Sequence, residues 1–281
     1  MLFKGRRQSS NVEDFRGRGG PGFGYRGGII GTAVIALIVW LLGGNPMSVL
    51  QNMTTTEQSS NAVAPVAGQD TMGEFVKVVF ADTEDVWHKL FKDAGATYRE
   101  PTLVLFNSSI QSACGNAQAA TGPFYCPDDE RVYIDLDYLQ YLQQKLGAQG
   151  DFAIAYIIAH EVGHHVQKLL GTMDKLDKLR ASGASESQIN AMSVRTELQA
   201  DFLAGVWIYH GQQMKHFLEK GDIEEALNAA AAVGDDRLQM SRQGHVSPDS
   251  FTHGTAAQRK GWLQKGMETG DVREGDTFRE I

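Results

Sequence analysis

Cysteine is nearly absent, with two in 281 residues. That excludes a disulfide-dense small scaffold and any metal site built on four thiolates. Basic residues are in the minority, 26 Lys and Arg against 34 Asp and Glu, for a formal net charge of −8. So acidic a chain is a poor match to nucleic acid, whose phosphates need a basic surface, and none is expected as a partner. Proline is scarce, with 7 residues beside 31 glycines, which excludes a collagen. No segment recurs at a solenoid spacing. Uncharged apolar runs long enough to span a bilayer are lacking too, apart from one, which excludes a multi-span transporter. What remains is 42% hydrophobic content, enough for a core without staples.

The one run is IIGTAVIALIVWLL, residues 29–42, set between the glycine pairs 27–28 and 43–44. With its glycines it makes about 27 Å of helix at roughly 1.5 Å per residue, just spanning a hydrocarbon core of about 30 Å. Gly-Gly-Asn-Pro follows Leu42, with no small-x-small cleavage site, so the run reads as an uncleaved anchor rather than a signal peptide. Lys4, Arg6, Arg7, Arg16, Arg18 and Arg26 precede it, and the next basic residue is Lys77. Split at residue 45, the charge is +4 before and −12 after. The positive-inside rule then predicts a cytoplasmic N-terminus, an inner-membrane single pass and an extracytoplasmic, periplasmic domain. The expected organisation is a Gly/Arg-rich cytoplasmic tail (1–27), a transmembrane helix in the bilayer (28–44), a polar linker (45–72) and one domain (73–281). The tail's RGRGGPGFGYRGG has the look of an RNA-binding segment, but reads better as a flexible topogenic tail.

Within the domain, apolar spacing predicts helices over 74–95, 137–147, 152–171 with Asp151 as N-cap, 187–210, 222–233 and 255–267. PTLVLF (101–106) reads as a strand, and 122–126 with 131–135 as a hairpin. A small β element followed by a mostly helical half is an α+β fold. Cys114 and Cys126 form an even pair in a part placed outside, which predicts one disulfide.

The chemistry concentrates at His160-Glu161-Val162-Gly163-His164. His at i and i+4 share one helix face and can hold one metal, while Glu161 beside them can take a proton from a water at that metal. The preceding FAIAYIIA is apolar, so these polar groups would be costly to bury without a partner. His165 lies about 100° around the helix and reads as a packing residue. A catalytic zinc takes three protein ligands, and Glu197 in the downstream TELQAD segment is the expected third. Asp201, one turn on, would take a hydrogen bond from a ligand histidine and fix its tautomer.

HEVGHHVQ followed by TELQADFLAG resembles the gluzincin-type zincin metallopeptidases, in which a Glu on a later helix completes the zinc site. Closer still is the resemblance to the bacterial, membrane-anchored neutral zinc metallopeptidase family (the YpfJ-like proteins). That likeness rests on the Gly/Arg-rich start, one span, the Cys…GPFYCP…VYID segment, HEVGHH, ELQAD and the late THG-TAAQR, and covers nearly the whole chain. It implies a zincin-like fold, His160, His164 and Glu197 on Zn2+ (Mn2+ as a possible alternative), Glu161 as base, and a peptide or protein substrate. By analogy with such enzymes His253 is assigned to the oxyanion, with Tyr133, Tyr156 and Tyr209 as rivals. The strand 122–126 is expected to hold a substrate by β-addition. The alternative function is a non-catalytic metal-binding envelope protein or scaffold.

Overall fold

The computed structural model describes residues 1–16, 70–118, 122–145 and 150–279. A four-stranded sheet runs in the order β1 (Val12–Asp14), β2 (Thr102–Phe106), β6 (Arg131–Asp135), β5 (Phe124–Cys126). β1, β2 and β6 are parallel, and the edge strand β5 is antiparallel to β6. A separate hairpin pairs β3 (Ser109–Ser112) with β4 (Gly115–Gln118). The helices are α1 (Thr71–Asp93), α2 (Leu136–Lys145), α3 (Phe152–Leu169), α4 (Met173–Ala181), α5 (Glu186–Lys215), α6 (Asp222–Ala232), α7 (Asp235–Gln243) and α8 (Ala256–Thr269). The α+β expectation holds.

β2 shows why the sheet is buried on both faces. Alternate residues point to opposite sides. Leu103 and Leu105 join the main core of α1, α3 and α5, with Phe80, Ile158, Phe202 and Trp207. Val104 and Phe106 face a second cluster with Cys126 and Tyr133, against which Ile110 of the hairpin packs. The predicted disulfide is present, linking Cys114 at the hairpin turn to Cys126 at the end of β5 with Cα atoms 5.8 Å apart.

Two glycine contacts at one helix crossing set the centre's frame. A Cβ on Gly205 of α5 would lie 2.2 Å from the carbonyl oxygen of Leu263, and one on Gly266 of α8 would lie 2.1 Å from that of Phe202. α5 and α8 therefore meet backbone to backbone, and only glycine fits at either position.

The structure corrects the expected organisation. Residues 1–16 are no detached tail but part of the same folded body as residues 70–279. β1 extends the sheet, Met1 is 4% exposed, and Arg6 reaches Asp82 at 2.6 Å. The predicted span 28–44 and nearly all of the linker lie outside the described residues, and no described helix is long and apolar enough to cross a membrane. Asp151 precedes α3 as predicted but makes no side-chain cap, because its carboxylate binds the Met1 ammonium at 2.7 Å. The stretch 173–181, which its Lys, Asp, Ser and Gly content suggests is a loop, is helical, and so is 235–243, for which the spacing predicts no element.

Candidate metal centre

α3 carries His160 and His164 one turn apart, and α5 crosses it with Glu197 facing them. His160 Nε2 lies 3.1 Å from Glu197 Oε2, and His164 Nε2 lies 3.5 Å from Glu197 Oε1. One ligand atom from each of the three falls within 4.8 Å of the others. The tautomers follow from the outer contacts. His160 Nδ1 donates to Asp201 Oδ1 at 2.9 Å, which leaves its Nε2 lone pair for the centre. Gln167 donates through Nε2 to Thr196 O and Gln199 Oε1, so its carbonyl oxygen accepts from His164 Nδ1 at 2.9 Å. Both Nε2 lone pairs and a carboxylate thus converge on one point. Two imidazoles and a carboxylate are an ordinary catalytic zinc set, so the residues fit that ion.

The buried groups are held in matched charge states. Burial pushes the Asp201 carboxyl up, but Arg259 and His160 outweigh it and hold it at about 2. Burial pushes the His160 imidazole down, but Asp201 and Glu197 outweigh it and carry it to about 10 in the metal-free protein. Glu197, also opposed by burial, is drawn well below the carboxylate range by His164 and His160. In the metal-free centre protons therefore supply the positive charge that a cation would bring.

Glu161 lies beside the cluster without joining it. Its Oε2 accepts the backbone N–H of Tyr125 at 2.8 Å, and burial raises its carboxyl against the pull of His160 and His164. That bond also bears on the predicted β-addition. Tyr125 pairs opposite Val132, and its N–H points away from β6 to Glu161. In an antiparallel pair such residues alternate, so positions 123 and 127 would share this outward edge. Both are prolines, without an N–H. The edge offers an incoming peptide carbonyl acceptors only, and a full added ladder is not available.

The remaining assignments separate cleanly. His165 is buried as expected, donating from Nε2 to Arg99 O at 2.6 Å and accepting the Tyr125 hydroxyl on Nδ1 at 3.0 Å. His253 sits on a half-exposed loop, with Nδ1 2.9 Å from the Thr252 hydroxyl and 3.3 Å from Asp235. Among the described residues it makes no hydrogen bond to the cluster, so these contacts lend the oxyanion assignment no support. Tyr133 is tied to Asp129, and Tyr156 donates to Asp201 at 2.5 Å.

Sequence reasoning missed Arg259. It is 4% exposed and grips Asp201 through Nε at 2.8 Å and through a terminal nitrogen at 3.0 Å. The same terminal nitrogen lies 3.2 Å from the Tyr156 hydroxyl. The signal was its place at the i, i+3, i+7, i+10 positions Ala256, Arg259, Leu263 and Gly266, the buried stripe of α8. A second carboxylate group, Asp151, Asp222 and Glu225, lies where the Met1 ammonium supplies countercharge to its first two members.

Comparison with known proteins agrees with this geometry. Residues 1–278 match the family described as "Putative neutral zinc metallopeptidase". The chain belongs to that family. It is 47% identical over 294 aligned residues to "Uncharacterized protein YpfJ" of Escherichia coli (strain K12), covering 99% of each chain. It is 45% identical over 191 residues to "Uncharacterized protein Rv2575" of Mycobacterium tuberculosis (strain H37Rv), covering 64% of this chain and 63% of that one. No solved structure matches.

Proposed function

We propose that this family member is a zinc-dependent peptidase of zincin type, with His160, His164 and Glu197 holding the metal and Glu161 as general base. The observation that carries the reading is Glu161, a buried carboxylate at the cluster but outside it, fixed by the Tyr125 N–H. A pure metal binder has no use for it. A zinc ion held by the three ligands would polarise the scissile carbonyl and make a water acidic enough to attack near neutral pH. Glu161 takes that water's proton on Oε1, since Oε2 is engaged, and returns it to the leaving amine. Burial, by raising its carboxyl, makes Glu161 a stronger base for the first half of that exchange. The substrate is a peptide or protein. The disulfide supports an extracytoplasmic domain, and the apolar run at 28–44 supports attachment to a membrane.

Metal analysis paired with a peptide-library digest, for wild type and Glu161→Gln, tests this. The expected result is one zinc per chain in both and cleavage by wild type alone. Stoichiometric metal without cleavage by wild type would establish the non-catalytic scaffold instead. Stoichiometric metal in His160→Ala would overturn the ligand set.

A further inference from the structure

Residues 1–16 are joined by strand pairing and buried ion pairs to the body that carries the candidate metal centre. β1 pairs in parallel with β2, Val12 opposite Leu103 through Asp14 opposite Leu105. Leu103 N donates to Asn11 O at 3.0 Å and Phe15 N to Leu105 O at 2.8 Å, continuing the ladder at both ends. Arg6 pairs with Asp82 at 2.6 Å, Arg7 with Glu84 and Asp85 at 2.7 Å each, and the Ser9 hydroxyl donates to Glu84. Asp82 and Glu84 are each 3% exposed on α1. With residues 1–16 elsewhere, both carboxylates would be buried without these partners, a strongly unfavourable arrangement.

The chain leaves this body and rejoins it at one clasp. The Arg16 guanidinium donates to Asp14 at 2.9 and 2.5 Å and to Asp70 at 3.0 and 2.7 Å. The apolar run 29–42 lies in the sequence between those two points. A single crossing would put residues 1–16 and 70–279 on opposite faces of a bilayer, which the pairing of β1 with β2 forbids. A return crossing through 45–69 would draw a stretch rich in Ser, Thr, Asn and Gln through hydrocarbon, where polar backbone and side chains go unsatisfied. The charge asymmetry also loses its force. Of the six basic residues before the run, Arg6, Arg7 and Arg16 are neutralised by acidic residues from beyond it. They are not free to hold an N-terminus in the cytoplasm.

We propose that residues 1–16 and 70–279 lie on one and the same side of the membrane, so that the charge asymmetry across residue 45 does not separate them. This topology is independent of whether the metal centre turns over.

Single cysteines at two exposed positions test it, Ser10→Cys in the N-terminal segment and Lys178→Cys on α4. The parent chain serves as blank, since Cys114 and Cys126 are bonded to each other. A membrane-impermeant maleimide is applied to spheroplasts before and after lysis. Equal behaviour at the two positions, both reactive in intact spheroplasts or both only after lysis, is the expected result. Reactivity of one before lysis and of the other only after it overturns the proposal. A second measurement guards against misfolded variants. Arg7→Cys and Asp85→Cys are joined by a short bismaleimide in a chain carrying a protease site within 45–69. The N-terminal fragment should stay attached after cleavage, and its release would overturn the proposal.

Discussion

Asp201→Asn separates the orientation of His160, the proposed zinc ligand, from the integrity of the fold. In the native chain Asp201 is fully buried and accepts from His160 Nδ1, the Tyr156 hydroxyl and two nitrogens of Arg259. Asparagine keeps the shape but loses the charge and one acceptor oxygen. His160 then loses its charged orienting partner, and losses of this kind cost about 10–100-fold in metal affinity. That is about 1.4–2.7 kcal/mol. Arg259 is left with an amide oxygen in place of a carboxylate, so folding stability falls as well. Arg259→Met, which strands the Asp201 carboxylate, should cost about 3–5 kcal/mol of stability. In the double variant the neutral amide at position 201 needs no countercharge, so the two stability losses should fall short of additivity by about 0.5–3 kcal/mol. The assays are zinc titration against a chelating competitor and denaturant unfolding, on each single variant and the double. Zinc affinity of Asp201→Asn within about twofold of wild type, less than half a kcal/mol, would refute the role of Asp201 in orienting His160.

Three further outcomes follow from other parts of the structure. Gly266→Ala places a methyl against the Phe202 carbonyl and should cost at least about 1–3 kcal/mol, read as a lowered denaturant midpoint. Removing the Cys114–Cys126 bridge as the double serine variant should cost about 2–4 kcal/mol, with proteolysis rising first at the 109–118 hairpin. Burial lowers the His165 imidazole below 6.5, despite the pull of the Arg99 carbonyl. A group depressed on folding contributes stability above its unfolded pKa and loses it as pH falls through the folded one. The unfolding free energy of wild type relative to His165→Gln should therefore drop as pH falls below about 6.5. A difference that stays flat between pH 8 and 4 would refute this. His160 is common to both chains, so its own titration cancels in the difference.

The centre was legible where its logic is local. His160, Glu161 and His164 sit on one helix, and Glu197 with Asp201 on another, so helical spacing alone placed each set on a face. Arg259 and the Tyr125 N–H were hidden because they arrive from other elements. Arg259 meets Asp201 across 58 residues of sequence, at a distance set by the glycine contact of α5 with α8. Tyr125 reaches Glu161 because the sheet edge lies over α3. The strand 12–14 was illegible for a different reason. Val-Glu-Asp is short and polar, with no alternation to read, and it is a strand because β2 offers it an open edge. The charge split across residue 45 conceals ion pairs for the same cause. Composition counts charges, whereas three of those arginines are spent on partners that only the fold reveals.

The pairing of Asp201 with Arg259 has a consequence for the metal's acidity. An anionic partner behind a ligand histidine makes that histidine a stronger donor and would soften the metal's pull on a water or a carbonyl. Here the guanidinium grips both carboxylate oxygens and lies 3.5 Å from His160 Nδ1. The pair orients His160 while adding no net charge to the buried layer. At His164 the same end is met with a neutral group, since Gln167 supplies a carbonyl oxygen fixed by two donations of its own. Two unlike solutions thus give one electrostatic result. The ligand set itself contributes a single negative charge, from Glu197, so a bound zinc would keep a net charge of about +1. With that charge it would acidify a water for Glu161 more than with Asp201 left uncompensated. Removing Arg259 would break the balance in one direction, tightening the hold on the metal while weakening its effect on the water. The Arg259→Met chain should accordingly keep its zinc and lose turnover, whereas Asp201→Asn should lose affinity first.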